Sequence, residues 1–342
     1  MAHKIAVLPG DGIGPEVIGA AVQVLKAVSN NLEFTYFEVG YNRFKRKGEA
    51  ITDEILEELK KFDAILFGAV SSPPGIVKDY RSAILTIRRD LDLYANIRPI
   101  KSYIKKNNLD LIIFRENTEG LYSQKEYMRD REAVAEKIVT EERTERLAKL
   151  AYKKVVELGR KKVTIVHKAN VLRLTDGLFS RVCRSVSQQY PDIVTDEQYI
   201  DSACYQLIRN PSSFDVIVTT NLYGDILGDV AAGIGDGLGF APSSNLGARW
   251  ALFEPVHGSA PDIAGENSAN PFATILSAKF MLEYLGRKKE VEILEEAIKF
   301  VIERKIFTPD VGGDFKTVDI TEQIIEEIKK INIEGANYEA QN

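Results

Sequence analysis

The sequence predicts an α/β fold with a largely parallel sheet. Short runs rich in β-branched residues alternate with stretches whose apolar residues recur on a helical period. A glycine-rich turn, Gly10-Asp-Gly-Ile-Gly-Pro15, joins the first run to the first helical stretch. The chain is 342 residues long. At about 100–200 residues per domain, that implies about two domains.

The elements read in order as follows. Lys4–Leu8 is the first strand, and Glu16–Ser29 the first helix, with Val17, Ile18, Val22, Leu25 and Val28 on one period. Pro15 suits the first helical turn, where a missing amide proton costs little. Phe34–Val39 reads as a second strand. Thr52 caps a helix running to about Lys61, with Asp53 and Glu54 favouring its dipole. Ala64–Val70 is a third strand, Arg81–Leu93 an arginine-rich helix, and Leu111–Phe114 a short strand. Arg129–Leu158 reads mainly as one long charged helix after an irregular stretch. Val163–His167 and Asp215–Thr219 are strands, and Asp176–Gln189 is a helix. Asp225–Ala232 starts helically and dissolves into Gly233, Gly235, Gly237 and Gly239. Ala273–Leu285, Val291–Glu303 and Thr321–Lys330 are the closing helices.

Lys and Arg number 45 and Asp and Glu 50, a formal charge of −5. That argues against a dedicated nucleic-acid binder, whose footprint is basic. It leaves room for a local basic pocket. Cys183 and Cys204 exclude a disulfide framework or four-cysteine zinc site and are expected to be inert buried thiols. No run approaches the roughly 18 apolar residues of a membrane span, and the first apolar run is too short for a signal peptide. A cytoplasmic protein with no membrane attachment is expected.

Three clusters carry chemistry. Gly10, Gly12 and Gly14 invite a dinucleotide-fold reading, but Pro15 breaks the G-x-G-x-x-G pattern, so a tight structural turn is the better reading. Arg88, Arg98 and Arg115 have planar forks that match carboxylates bidentately; the last two end apolar runs. Three such arginines, if they converge, suit a di- or tricarboxylate. Asp225 and Asp229 are four apart, so a helix puts both on one face, where they repel unless a cation or proton intervenes. Hard oxygen ligands suit Mg²⁺ or Mn²⁺, with Asp201 a possible third. His257, isolated in a Gly/Pro loop, is a poor metal ligand.

Together these motifs resemble the β-decarboxylating dehydrogenase family of isocitrate, 3-isopropylmalate, homoisocitrate and tartrate dehydrogenases. The telling segments are Leu8–Glu16, Asp92–Pro99, Arg115–Glu119, His167–Asn170, Asn221–Asp225, Glu254–Asp262 and Thr308–Gly313. The resemblance covers nearly the whole chain. It implies a two-domain isocitrate/isopropylmalate dehydrogenase-like fold with mixed sheets, distinct from a Rossmann domain. One discontinuous cofactor-binding domain would take residues 1–98 and 238–342. An inserted substrate, metal and dimerisation domain would take 99–237, including an arm that clasps a partner. A homodimer with shared active sites, or a homotetramer, would follow.

The resemblance also assigns roles. Arg88, Arg98 and Arg115 would bind substrate carboxylates, with Ser82. Tyr122 would protonate the enolate carbon after decarboxylation. Lys168, from the partner subunit, would be the base toward the 2-hydroxyl. Asp225 and Asp229, with Asp201 from the partner, would hold the metal. The cofactor would lie against Glu254, His257, Gly258, Ser259, Ala260 and Asp262, near Asn270 and Asp310, with Asn170 toward its nicotinamide. The acidic Asp262 resembles an NAD⁺ site, since a carboxylate repels a 2′-phosphate. Substrate choice would turn on Tyr80, Arg81, Ser82, Ile84 and Leu85. Ser82 resembles isocitrate enzymes, Ile84 departs from their usual asparagine, and Arg81 replaces the leucine-rich approach of isopropylmalate enzymes. The mixture is most like the homoisocitrate members of lysine biosynthesis, with isocitrate as a further substrate. 3-Isopropylmalate oxidation in leucine biosynthesis is the alternative.

Overall fold

The computed structural model describes residues 2–105 and 107–341. The chain divides into two compact units. One takes the chain up to Leu91, then Gly237–Ser244 and the chain from Arg249 onward; the other takes Asp92–Asp236 and Asn245–Ala248.

The first unit begins with β1 (His3–Gly10), α1 (Gly14–Val28), β2 (Leu32–Tyr36), α2 (Tyr41–Lys47), α3 (Asp53–Leu59), β3 (Ala64–Ala69) and α4 (Ala83–Asp90). β1 pairs parallel with β2 and β3. Ile5, Ala6, Val7 and Leu8 are all fully buried, as a central parallel strand with two covered faces requires. Thr52 Oγ1 accepts from Ile55 N and caps α3 as expected. The arginine-rich helix is shorter than the sequence suggests, because Ser82 starts it and Leu91 ends it.

The glycine turn is a structural crossing. Gly10 and Gly12 have φ of +76° and +59°. A Cβ on Gly12 would stand 1.9 Å from the Ser259 carbonyl oxygen, and one on Gly14 2.1 Å from that of Pro9. Side chains there are excluded by backbone, not by a ligand.

The second unit holds β4 (Ala95–Lys101), β5 (Asp110–Glu116), β6 (Glu126–Arg129), β7 (Glu132–Ala135), α5 (Glu141–Glu157), β8 (Lys162–His167), α6 (Thr175–Ser187), β9 (Val194–Tyr199), α7 (Ile200–Arg209), β10 (Val216–Thr219) and α8 (Asn221–Ile234). Its strands run in the order β4-β5-β10-β8-β9. β4 is antiparallel to β5 and the others are parallel. Alternate residues feed two cores. Ile112, Phe114, Val163, Ile165, Val216 and Val218 pack beneath α5 and α6. Leu111, Ile113, Val166 and Ile217 face α7 and α8. This period of two is what a sheet covered on both sides produces.

Two expectations are corrected here. The long charged helix is really an exposed antiparallel hairpin, β6–β7, followed by α5. Asp130 turns the hairpin with φ +52°, and Thr140 caps α5 by accepting from Arg143 N. The second correction concerns α8, which is a full helix from Asn221 rather than one that fades into glycine. The chain then returns to the first unit through β11 (Pro242–Leu246), β12 (Ala251–Pro255), α9 (Phe272–Tyr284), α10 (Lys288–Glu303) and α11 (Thr317–Gln341). β12 pairs parallel with β3. α9 is covered on nearly all sides, with ten of its residues from Phe272 to Leu282 buried, the signature of a helix inside the core. Among the described residues, no helix is long and apolar enough to cross a membrane.

Candidate active site

In the second unit, the carboxyl ends of β5, β8 and β10 carry Arg115, Lys168 and the start of α8. Open α/β sheets place their ligands at such ends. Asp225, one turn into α8, is the hub. Its Oδ1 accepts from Arg98 Nη2 at 2.8 Å and from Arg115 Nη1; its Oδ2 accepts from the Tyr122 hydroxyl. Burial opposes ionisation of Asp225, but Arg115 and Arg98 outweigh it and hold its carboxyl below the usual range. Arg98 and Arg115 are nearly fully buried, and Arg115 lies over the Tyr122 ring at 4.8 Å. Burial in turn raises the Tyr122 phenol, with Arg115 opposing and Asp225 adding.

Glycine makes this approach possible. A Cβ on Gly224 would meet Arg115 Cβ and Cγ at 2.6 Å, and one on Gly228 would meet Arg98 Nη1 at 2.4 Å. The arginine side chains lie where α8 has no side chains of its own.

Asp229, one turn further, is exposed and 3.8 Å from Arg98 Nη1. Although the residue is largely exposed, partial desolvation of its carboxyl raises it, with Arg98 opposing and Asp225 adding. Two carboxylates on one helix face, one already repelling the other, are a donor set that fits a hard divalent cation. Asp201 does not complete it within one chain. Among the described residues no group of three His, Cys, Asp or Glu side chains can hold a metal. Asp201 instead accepts from Lys168 Nζ, and that lysine lowers its carboxyl.

Further residues brace the cluster and carry no role in the sequence reading. Asn221 Oδ1 accepts from Arg115 Nε and Nη2 at 3.2 and 2.8 Å, and its amide donates to Glu116 and to the Glu119 carbonyl. Asn96 Oδ1 accepts from Arg98 Nε at 2.7 Å. Glu119 is buried beside Glu116, and burial first, then that charge, pushes its carboxyl up to about 7. Fully buried Asp176 pairs with half-buried Lys137 behind Lys168. Their sequence spacing gives no hint of it.

In the first unit, Arg88 is buried and donates to Glu254 Oε1 at 2.6 Å, while its Nε has no partner among the described residues. Ser82 begins α4 without its hydroxyl capping the helix. Arg81 reaches Asp53 Oδ1 at 2.9 Å and the Ile51 carbonyl at 3.2 Å. Tyr80 donates to the Ser71 carbonyl and meets Tyr41 and Phe44 edge-on. Ile84 and Leu85 are half-buried.

The loop after β12 holds the expected cofactor residues. His257 Nδ1 lies 2.9 Å from the Gly258 carbonyl; burial pulls its imidazole below the usual value, and its enclosed Nε2 has no partner among the described residues. Ser259 accepts from the Ser71 hydroxyl at 2.9 Å. Ala260 sits at φ +35°, and Asp262 is exposed. Asn270 donates to Asp310 Oδ2 at 3.1 Å, and Thr308 to Asp310 Oδ1 at 2.5 Å. Asn170 is exposed in the second unit.

A family model described as isocitrate/isopropylmalate dehydrogenase matches residues 4–328. A homoisocitrate dehydrogenase of Methanocaldococcus jannaschii is 44% identical over 342 residues, covering 96% of this chain and 98% of that one. A 3-isopropylmalate/3-methylmalate dehydrogenase of the same organism is 45% identical over 337 residues, covering 96% and 99%. The crystal structure of an isocitrate dehydrogenase from Methylococcus capsulatus superposes with a TM-score of 0.91 at 39% identity, covering 95% of this chain and 99% of that one.

Proposed function

The chain belongs to the isocitrate/isopropylmalate dehydrogenase family, and from that premise we propose that it oxidises homoisocitrate with NAD⁺, releasing CO₂ and 2-oxoadipate. Isocitrate, giving 2-oxoglutarate, is the proposed second substrate. The observation that carries the reaction type is the Asp225 hub, where two buried arginines and a tyrosine converge on a carboxylate that has a second carboxylate one turn away.

The residues divide the work. Arg98 and Arg115 hold substrate carboxylates by the N–H groups that now reach Asp225, and Arg88 and Ser82 complete the anion set. Asp225 and Asp229, with Asp201 of a partner subunit, would hold Mg²⁺ or Mn²⁺. When bound, such an ion would supply Lewis acidity toward the substrate hydroxyl and the carbonyl formed from it, and NAD⁺ would supply the hydride acceptor. Lys168 of the partner subunit accepts the hydroxyl proton. Tyr122 returns a proton to carbon after CO₂ leaves; its raised phenol keeps that proton at neutral pH. Glu254, His257, Gly258, Ser259, Ala260, Asp262, Asn270 and Asp310 are proposed to bind NAD⁺, with Asn170 toward its nicotinamide. The domain roles follow: residues 1–98 and 238–342 for cofactor, and 99–237 for substrate, metal and dimerisation. A cytoplasmic homodimer is the proposed setting.

Support for the substrate choice lies in Ser82, Arg81 and Ile84. The Arg81–Asp53 pair is largely exposed, and exposed pairs are weak, so a distal substrate carboxylate can compete for Arg81. The second reading, 3-isopropylmalate, draws on the same pair. With Arg81 held by Asp53, half-buried Ile84 and Leu85 would offer an apolar wall. Incubation with NAD⁺, Mg²⁺ and homoisocitrate, followed by mass spectrometry, tests the first reading. 2-Oxoadipate and NADH in equal amounts are expected, and unchanged homoisocitrate contradicts it.

A further inference from the structure

Arg98 and Arg115 are both buried, and each is held from behind by a buried asparagine. Asn96 Oδ1 accepts from Arg98 Nε at 2.7 Å. Asn221 Oδ1 accepts from Arg115 Nε and Nη2 at 3.2 and 2.8 Å. The other face of each guanidinium reaches the hub: Arg98 Nη2 and Arg115 Nη1 both donate to Asp225 Oδ1.

Each amide is oriented from its far end. Asn96 Nδ2 donates to Asn245 Oδ1 at 3.0 Å. Asn221 Nδ2 donates to Glu116 Oε2 at 3.3 Å and to the Glu119 carbonyl at 3.2 Å. Glu116 is fixed in turn. Its Oε1 accepts from the Thr118 N–H and hydroxyl at 2.7 and 2.8 Å, and its Oε2 from Glu119 N at 2.9 Å. Turning the Asn221 amide over would set its N–H groups against those of arginine, and its oxygen against a carboxylate and a carbonyl. The network therefore permits one orientation, with the acceptor toward Arg115.

A guanidinium is planar, so holding one edge fixes the direction of the other. The choice of amide over carboxylate also matters. A carboxylate behind the arginine would hold it equally well, but would cancel much of the charge that an anionic substrate must feel. An amide supplies the acceptor without the charge.

We propose that Asn96 and Asn221 are positioning residues that aim Arg98 and Arg115 at the substrate carboxylates without cancelling their charge. The proposal rests on the substrate-binding role given to those arginines above. All four residues belong to one chain and to the same site.

The test uses the full-length protein carrying Asn221→Ala, Asn221→Asp or Asn96→Ala. Steady-state kinetics with homoisocitrate and NAD⁺ varied in turn, thermal unfolding and a crystal structure are obtained for each. The alanine variants are expected to raise the substrate KM at least tenfold, with the NAD⁺ KM within about twofold. Asn221→Asp keeps the shape and adds the charge, so it should raise the substrate KM at least as much as Asn221→Ala. A lower unfolding temperature with the substrate KM unchanged, or with both KM values moving alike, would overturn the proposal. So would a parent-like substrate KM in Asn221→Asp, or failure of both alanine variants to fold. If the parent protein turns over none of the candidate acids, the functional reading falls by itself. The crystal structure of Asn221→Ala then decides: an Arg115 guanidinium displaced by more than about 1 Å supports the positioning role, and an unmoved one overturns it.

Discussion

The Tyr122 hydroxyl donates to Oδ2 of Asp225 while Arg115 occupies Oδ1 of the same carboxylate. The proposed proton donor and the proposed metal ligand are thus in direct contact. Tyr122→Phe removes the donor and leaves the ring under Arg115. Because a positioned acid contributes about 10²–10⁴-fold, kcat is expected to fall at least a hundredfold, with substrate KM within a few-fold. Steady-state NADH formation measures both. A kcat within threefold of the parent would remove Tyr122 from the mechanism.

Gly224 is where helix and arginine meet. Gly224→Ala puts a methyl group 2.6 Å from Arg115 Cβ and Cγ, which must displace the guanidinium from Asp225. Overpacking of this kind typically costs about 1–3 kcal/mol. A lower unfolding temperature and at least a tenfold loss of kcat/KM are expected. Parent-like values for both would show that α8 and Arg115 can move apart freely.

The aspartates should answer to metal. EDTA is expected to abolish turnover, and added Mg²⁺ or Mn²⁺ to restore it. Asp229→Asn removes one proposed ligand and should raise the metal concentration for half-maximal rate at least tenfold. An unchanged metal titration would exclude Asp229 from the site.

The proposed preference for NAD⁺ hangs on an exposed carboxylate. Asp262→Lys should shift the ratio of NADP⁺ to NAD⁺ efficiency upward at least tenfold, because the 2′-phosphate no longer meets a like charge. A constant ratio counts against its role at the adenosine ribose.

Glu119 predicts a pH dependence of stability. Its carboxyl is raised to about 7 in the fold, so the native state binds the proton more tightly than the unfolded chain. The resulting stabilisation is complete below the unfolded value and lost as pH rises toward 7. The change is roughly 2–3 kcal/mol. Glu119→Gln should therefore be more stable than the parent at pH 8 and similar to it at pH 5 in urea unfolding. Parallel curves at both pH values would contradict this.

Helices α1 and α3 were readable because their apolar residues face one core, and strands β1, β3, β8 and β10 because they are short apolar runs covered on both faces; all stand near their expected places. The second unit was harder. The space that Gly224 and Gly228 leave on α8 is filled by Arg115 and Arg98, a tertiary effect no local pattern records. Hairpin β6–β7 is exposed on both faces, so it has no period of two to detect. Arg98, Arg115, Tyr122, Asp225 and Asp229 come together as a cluster, whereas Asn221 and Asp176 act through partners far away in sequence.

The most direct test of the central claim is kcat/KM with NAD⁺ and Mg²⁺ for homoisocitrate, isocitrate and 3-isopropylmalate under one set of conditions. Homoisocitrate is expected to give the highest value, isocitrate measurable turnover, and 3-isopropylmalate a value at least tenfold below the best. Preference for 3-isopropylmalate would contradict the substrate assignment, and no turnover of any of the three would contradict the reaction itself.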